Sequence, residues 1–295
     1  MKKHLSCLLA LLLIVSTVAA QDDSKKPEKI TAEELISRHI ASIGTPEALA
    51  AVKSRVITGR HTFEGGQISA TKTPLETQPV SVQLASDPER MLFVMISDPK
   101  EHFQKFAYDG KHTSIAHRSP IGRNLKIRDQ PPPLAGFLKA TESLLADGLI
   151  NGALSSAWPL LDLTARKGKV EYAGVEKVGD RWLHKLKYFS RRGTARITLF
   201  FEPDTYRHVA SEYYYAEDVG MGVTKRYQER RYSHTLTERF SDFKRVGDLT
   251  LPFTYTLFIS DKSSLNVDHF PQTYTIKVAN VYYNEVLAPS VFKVS

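Results

Sequence analysis

The sequence predicts a mostly-β α+β fold: an antiparallel meander with one apolar face and a helical pair packed against it. Three observations carry this. From about residue 54 to 116, and again from about 169 to 280, the chain reads as short alternating segments divided by turn residues. Consecutive strands with short turns make an antiparallel meander, not a parallel α/β sheet. Between those blocks, 131–163 (PPPLAGFLKATESLLADGLINGALSSAWPLLDL) carries apolar residues at helical spacing.

Taken in order, Met1-Lys2-Lys3-His4, an apolar run from Leu5 to Thr17 and the small residues Val18-Ala19-Ala20 read as a secretory signal peptide at 1–20. The run is too short for an ordinary membrane-spanning helix. Cys7 lies inside it, so the processed chain is expected to hold no cysteine and no disulfide. Residues 21–30 form a polar leader. Thr31 and Glu34 make a capping box for a helix whose apolar positions are Leu35, Ile36, Ile40 and Ile43, with His39 on or beside that face and Gly44 as the stop. Thr45-Pro46 opens a second short helix that ends near Lys53.

Strands are then expected at Arg55 to Phe63, Gln67 to Thr73, Val80 to Ala85, Arg90 to Ser97, Phe103 to Tyr108 and Lys111 to Ala116. The last two are joined by Asp109-Gly110, a two-residue hairpin signal. Pro131-Pro132-Pro133 cannot continue a strand and punctuates the start of the insert. Leu134, Phe137, Leu138, Thr141, Leu144 and Leu145 share one face of a first helix. Leu149, Ile150, Ala153, Leu154, Ala157, Trp158 and Leu161 share one face of a second.

Seven more strands follow: Lys169 to Val178, Arg181 to Ser190, Thr194 to Glu202, Tyr206 to Tyr215, Arg231 to Lys244, Leu249 to Ile259 and Thr273 to Asn280. Their alternation puts Trp182, Leu186 and Tyr188 on one side, opposite Lys185 and Lys187. Ile197, Leu199 and Phe201 share a face, as do Phe253, Tyr255 and Leu257, and Tyr274, Ile276 and Val278. One side of the sheet is oily and the other wet. An apolar helical pair must bury its stripe, and the oily side is the available partner. Tyr213 to Tyr215 must alternate faces, and with Tyr227, Tyr232, Tyr255 and Tyr274 they either fill strands or form an amphipathic rim.

The helix-turn opening AEELISRHIASIGTPEALAAVKS, the strand RITLFFEPDTYRHVASEY, the hairpin FSDFKRVGDLTLPFTYTL and the closing YTIKVANVYYNEVLAPSVFKV resemble the outer-membrane lipoprotein-sorting (LolA/LolB-like) superfamily over most of the processed chain. The resemblance implies one domain at 31–295 with the fold of an incomplete antiparallel β-barrel, a curved meander sheet whose concave apolar face is covered by helices and holds acyl chains. It also implies a periplasmic location. The chain is longer than the carriers of that family and lacks the receptor's lipid-modified cysteine.

Removing 20 of 295 residues leaves 275, and the formal net charge of +8 becomes +6 once Lys2 and Lys3 leave with the signal. Basic character favours anionic surfaces. The run Lys225 to Arg231 alternates with acids and reads as a solvated strand face, and export argues against nucleic acid. The ten histidines form no ligand pattern, and His112 and His117, five apart, fall on opposite faces of a strand. Glu217 and Asp218 sit on an expected loop, and Asp242 is expected to serve a structural hydrogen bond. No H-E-x-x-H, Gly-rich phosphate loop or G-x-S-x-G elbow occurs. The expectation is a monomeric binding protein with no catalytic residue, metal or cofactor. Its ligand is lipid or an acylated lipoprotein, and a partner protein in the inner or outer membrane is possible.

The groove candidates on the insert are Leu134, Phe137, Leu138, Leu144, Leu149, Leu154 and Trp158. Those on the sheet are Trp182, Leu186, Leu199, Phe201, Phe253, Tyr255 and Ile276. Two alternatives stay open: an envelope scaffold whose groove is filled by its own side chains, and an enzyme acting on lipid or glycan.

Overall fold

The computed structural model describes residues 26–65, 81–98, 102–118, 131–219, 230–262 and 268–294. The signal peptide, the strand expected at Gln67 to Thr73 and most of the basic run 225–231 lie outside them. Two helices, α1 (Ala32–Ile43) and α2 (Pro46–Ala51), precede five strands: β1 (Arg55–Gly65), β2 (Ser81–Ser86), β3 (Met91–Asp98), β4 (His102–Tyr108) and β5 (Thr113–Arg118). The insert holds α3 (Pro133–Ala140), α4 (Ser143–Ala146), 3₁₀ turns at Gly152–Leu154 and Pro159–Asp162, and α5 (Leu163–Arg166). Seven strands follow: β6 (Lys169–Val178), β7 (Arg181–Phe189), β8 (Arg196–Phe201), β9 (His208–Val219), β10 (Arg230–Val246), β11 (Leu249–Lys262) and β12 (Asp268–Tyr283).

The twelve strands of the described residues form one antiparallel sheet, in the order β5-β4-β3-β2-β1-β12-β11-β10-β9-β8-β7-β6. Two meanders, β1 to β5 and β6 to β12, are stitched together where β1 pairs β12, with Ile57 opposite Val281 and His61 opposite Ile276. The ends of the order, β5 and β6, do not pair with each other, so the curved sheet stays an open, incomplete barrel. Because β5 and β6 are the two outer edges, the 131–163 insert has to travel from one edge to the other. Its apolar side chains make the concave face the favourable route, since that face is the one lined with apolar residues.

Local chemistry sets the details. Thr31 caps α1 by accepting from the Glu34 amide, and Thr45 caps α2 by accepting from Ala48. Gly44 is extended (φ 174°) rather than left-handed, and its need is space: a Cβ there would lie 2.5 Å from the Leu249 side chain. A register shift at Thr58/Gly59 bends β1 against β12, where a Cβ on Gly59 would lie 2.4 Å from the Lys277 carbonyl oxygen.

Several expectations are corrected. The β4–β5 loop spans four residues, with Tyr108 opposite Thr113, because the Asp109 carboxylate accepts from the amides of Lys111 and His112 and widens the turn. His112 therefore belongs to that loop and not to β5. Glu217 and Asp218 are in strand β9, not in a loop. Asp242 sits at φ 56° on β10 with its carboxylate 2.9 Å from Lys244 Nζ.

The second helix of the insert does not form as one. Gly148 (φ 73°), Asn151 (φ 75°) and Gly152 (φ 48°) adopt left-handed backbone, and Pro159 lacks an N–H. Leu149 to Ser155 are buried all round instead of on one stripe. The first helix also breaks at Thr141, whose hydroxyl donates to the Phe137 carbonyl, and resumes as α4.

The main core is one cluster on the concave side, running from Met91, Phe93 and Phe106 through the insert to Leu186 and Tyr188. On the convex side, Phe292 near the C-terminus covers Ala85, Leu92, Val94 and Ala107.

Candidate functional site

The site is the concave face together with the insert that crosses it. Leu134, Phe137, Leu138, Leu144, Leu149, Leu154 and Trp158 are all buried in the main core, as are Leu186, Leu199, Phe201, Tyr255 and Ile276 of the sheet. Two candidates do not join them. Trp182 is half-buried near the start of β7 with Lys26 Nζ 5.5 Å from its ring centre. Phe253 is half-buried and lies beneath Lys244 Nζ, 4.8 Å away, beside the distorted Asp242 position.

The insert divides into two chemically different halves. Residues 133–146 (α3 and α4) bond their backbone largely within themselves and meet the sheet through Leu134, Ala135, Phe137, Leu138, Leu144 and Leu145. Residues 149–158 hand their polar groups to the surrounding fold. The Asn151 amide donates to Glu238 Oε1 at 2.8 Å, and the Leu149 carbonyl accepts from the Tyr213 hydroxyl at 2.9 Å. Arg55 Nη1 donates to the Ala153 carbonyl at 2.6 Å, the Ser156 amide to Ser86 Oγ at 2.8 Å, and Trp158 Nε1 to His39 Nε2 at 3.1 Å. Four of these ties explain why no helix forms there: the Asn151 and Ser156 amides and the Leu149 and Ala153 carbonyls, which an α-helix would use internally, are spent on side chains of the sheet.

Glu238 is the centre of this half. It is fully buried between Leu236 and Phe240 on the inner side of β10, its Oε2 is hydrogen-bonded to Tyr213 Oη at 2.6 Å, and its Oε1 accepts from the Tyr255 hydroxyl. Burial pushes its carboxyl up to about 7, although the hydrogen bonds from Tyr213, Tyr255 and Asn151 pull the other way. Burial and then the Glu238 charge raise the phenols of Tyr213 and Tyr255. These two tyrosines, with Tyr274 at 5 % exposure, therefore belong to the floor and not to a wetted rim.

A second polar group lies alongside. His39 is buried against Trp158, Phe201 and His208, and burial lowers it to about 4. His208 stacks on Trp158 at 4.8 Å and shares a 3.0 Å hydrogen bond with Ser211. Arg55 is buried too, lowered by that burial to about 10, with the Tyr283 ring 5.7 Å away. Among the described residues no cluster of three or more His, Cys, Asp or Glu could hold a metal ion.

The sequence reading missed Glu238, Tyr213, Asn151, His208 and Arg55 as parts of this site. One signal was available: Leu236-x-Glu238-x-Phe240 places an acid on the apolar face of a strand, which is costly without partners.

No protein-family model and no curated protein sequence matches the chain. Among solved structures, a DUF1329 family protein from Desulfovibrio piger is similar at 8 % identity and a TM-score of 0.37, covering 90 % of this chain and 98 % of that one. MucB, solved in complex with MucA(peri), is similar at 11 % identity and a TM-score of 0.20, covering 86 % and 100 %. Both likenesses are loose, and no residue role is carried over from either protein.

Proposed function

We propose that this chain is an exported envelope protein that holds acyl chains, as lipid or acylated lipoprotein, on the concave face of its sheet, and that it binds rather than catalyses. One observation carries the reading: α3 and α4 are attached to that face through apolar side chains, while the rest of the insert is tied by hydrogen bonds. An apolar ligand can replace side chains that are held only by apolar burial. Fully burying a Leu or Phe is worth about 1.5–3 kcal/mol and each buried methylene about 0.8 kcal/mol. A dozen methylenes, worth about 10 kcal/mol, thus match the release of four or five lid side chains. Short helices take most of their stability from packing, so α3 and α4 can leave without unfolding the sheet.

A second reading, a scaffold whose groove is filled by its own side chains, is favoured by the five ties that fix residues 149–158 in the concavity. Native mass spectrometry of protein purified from its own envelope separates the two. Co-purifying lipid is expected. No lipid, together with no uptake of added acyl probes, would overturn the carrier reading in favour of the scaffold.

A further inference from the structure

We propose that Glu238 is a proton-dependent latch: its protonated carboxyl holds the Leu149–Asn151 turn on the sheet, and its ionisation loosens that turn. The proposal rests on the reading of the insert as a cover.

The argument is one of donors and acceptors. The Tyr213 hydroxyl has one proton and two acceptors within reach, the Leu149 carbonyl at 2.9 Å and Glu238 Oε2 at 2.6 Å. If Glu238 is ionised, its Oε2 takes that proton and the buried Leu149 carbonyl loses its donor. If Glu238 carries a proton on Oε2, it donates to the Tyr213 oxygen, and Tyr213 donates to Leu149. Oε1 meanwhile acts as the carbonyl oxygen and accepts from Asn151 and Tyr255 in either state. Only the protonated carboxyl leaves the Leu149 carbonyl with a donor while keeping the bonds from Asn151 and Tyr255. A buried group left unpaired is costly.

The surroundings reinforce this. The titratable groups facing Glu238 are Tyr213 of β9 and Tyr255 of β11, both phenols that stay neutral. Ser211 lies between Glu238 and His208, whose imidazole is held well below its usual range by burial, so it supplies no positive charge. His39 of α1, beyond His208, is likewise neutral near pH 7. The Arg55 guanidinium is directed to Ala153 of the same insert. No cation among the described residues bonds the carboxylate. Burial raises Glu238 to about 7, so the exchange of states falls near neutrality. The closed turn is favoured below that pH and weakened above it.

The test is hydrogen–deuterium exchange of the ligand-free protein at pH 6.0, 7.0, 8.0 and 8.5, corrected for the intrinsic pH dependence of exchange, read on the peptide covering 149–154. In wild type its protection should fall about tenfold between pH 6.0 and 8.0, most steeply as the pH rises towards 7, and level off above it. Glu238→Gln, whose amide can donate where the carboxyl proton did, should keep the pH 6.0 protection throughout. Tyr213→Phe removes the relay and should lower protection already at pH 6.0. A wild type whose protection does not change with pH overturns the latch, as does a Glu238→Gln profile that tracks wild type. So does a Tyr213→Phe protein protected like wild type at pH 6.0. Lipid retention is measured separately: a flat profile in a lipid-bearing protein sinks the latch alone, and a pH-dependent profile in a lipid-free protein sinks only the carrier reading.

Discussion

The indole N–H of Trp158 donates to Nε2 of His39 at 3.1 Å, while Nδ1 of the same imidazole meets the Tyr206 carbonyl at 3.1 Å. The carbonyl can only accept, so Nδ1 carries the proton and Nε2 must be the bare acceptor. This pair joins the N-terminal helix α1, the covering insert and the β8–β9 turn through one neutral imidazole, and a second proton on it would set two N–H groups against each other.

A pH dependence follows. His39 is lowered from 6.5 to about 4, so the unfolded chain takes up the proton first as pH falls. Its contribution is full above about pH 6.5 and is lost as pH drops through 4, roughly 3 kcal/mol in all. Glu238 runs oppositely: raised from 4.5 to about 7, it contributes most below 4.5 and loses that contribution as pH rises through 7. Comparing wild type with His39→Gln separates them. The difference in unfolding free energy from denaturant titrations should shrink steadily from pH 7 to 4.5. A constant difference would show that His39 does not stay neutral in the fold.

Gly148 is a second test of the insert's geometry. Its φ is 73°, and a Cβ there would lie 2.1 Å from the Ala157 carbonyl oxygen. Gly174, at φ 89° in the β6 bulge, has nothing within 4 Å of the same position. Gly174→Ala should cost only backbone strain, about 1 kcal/mol, whereas Gly148→Ala should cost well over 2 kcal/mol because backbone has to move. Thermal melts of the two variants check this, and equal losses would contradict the close approach.

The meander was legible because alternation and turn residues are local. The β6 span Lys169–Val178 coincides with the segment expected from sequence, and the inner faces of β7, β8 and β12 follow the alternation. The joining of β1 to β12 depends on residues more than 200 positions apart and leaves no periodic trace. The insert misled for a different reason. Leu149 to Trp158 has helical spacing, but tertiary hydrogen bonds to Glu238, Tyr213, Arg55 and His39 outweighed local propensity. A leucine buried from every side looks in sequence like one on a stripe. Glu238 was visible as an acid on an oily face, yet its partners come from three other elements.

The two halves of the insert should respond differently to the same truncation. Leu138 and Leu154 are both buried, so Leu138→Ala and Leu154→Ala should each cost about 2–5 kcal/mol. Only Leu138→Ala should raise the uptake of a fluorescent acyl probe, because α3 meets the sheet through Leu134, Ala135, Phe137 and Leu138, whereas Leu154 lies among residues tied by hydrogen bonds. Replacing both leucines with Asp should uncover the concave face and promote aggregation or lipid uptake. Equal probe uptake in the two single variants would remove the distinction between a fixed half and a movable half.

The central claim is that an acyl chain takes the place of α3 and α4 on the concave face. Hydrogen–deuterium exchange of the delipidated protein, with and without a saturating lysophospholipid at pH 6, tests it most directly. The predicted result is lost protection across 133–146 on adding lipid, with protection across 149–158 retained. Unchanged exchange in 133–146, with lipid demonstrably bound, would contradict it.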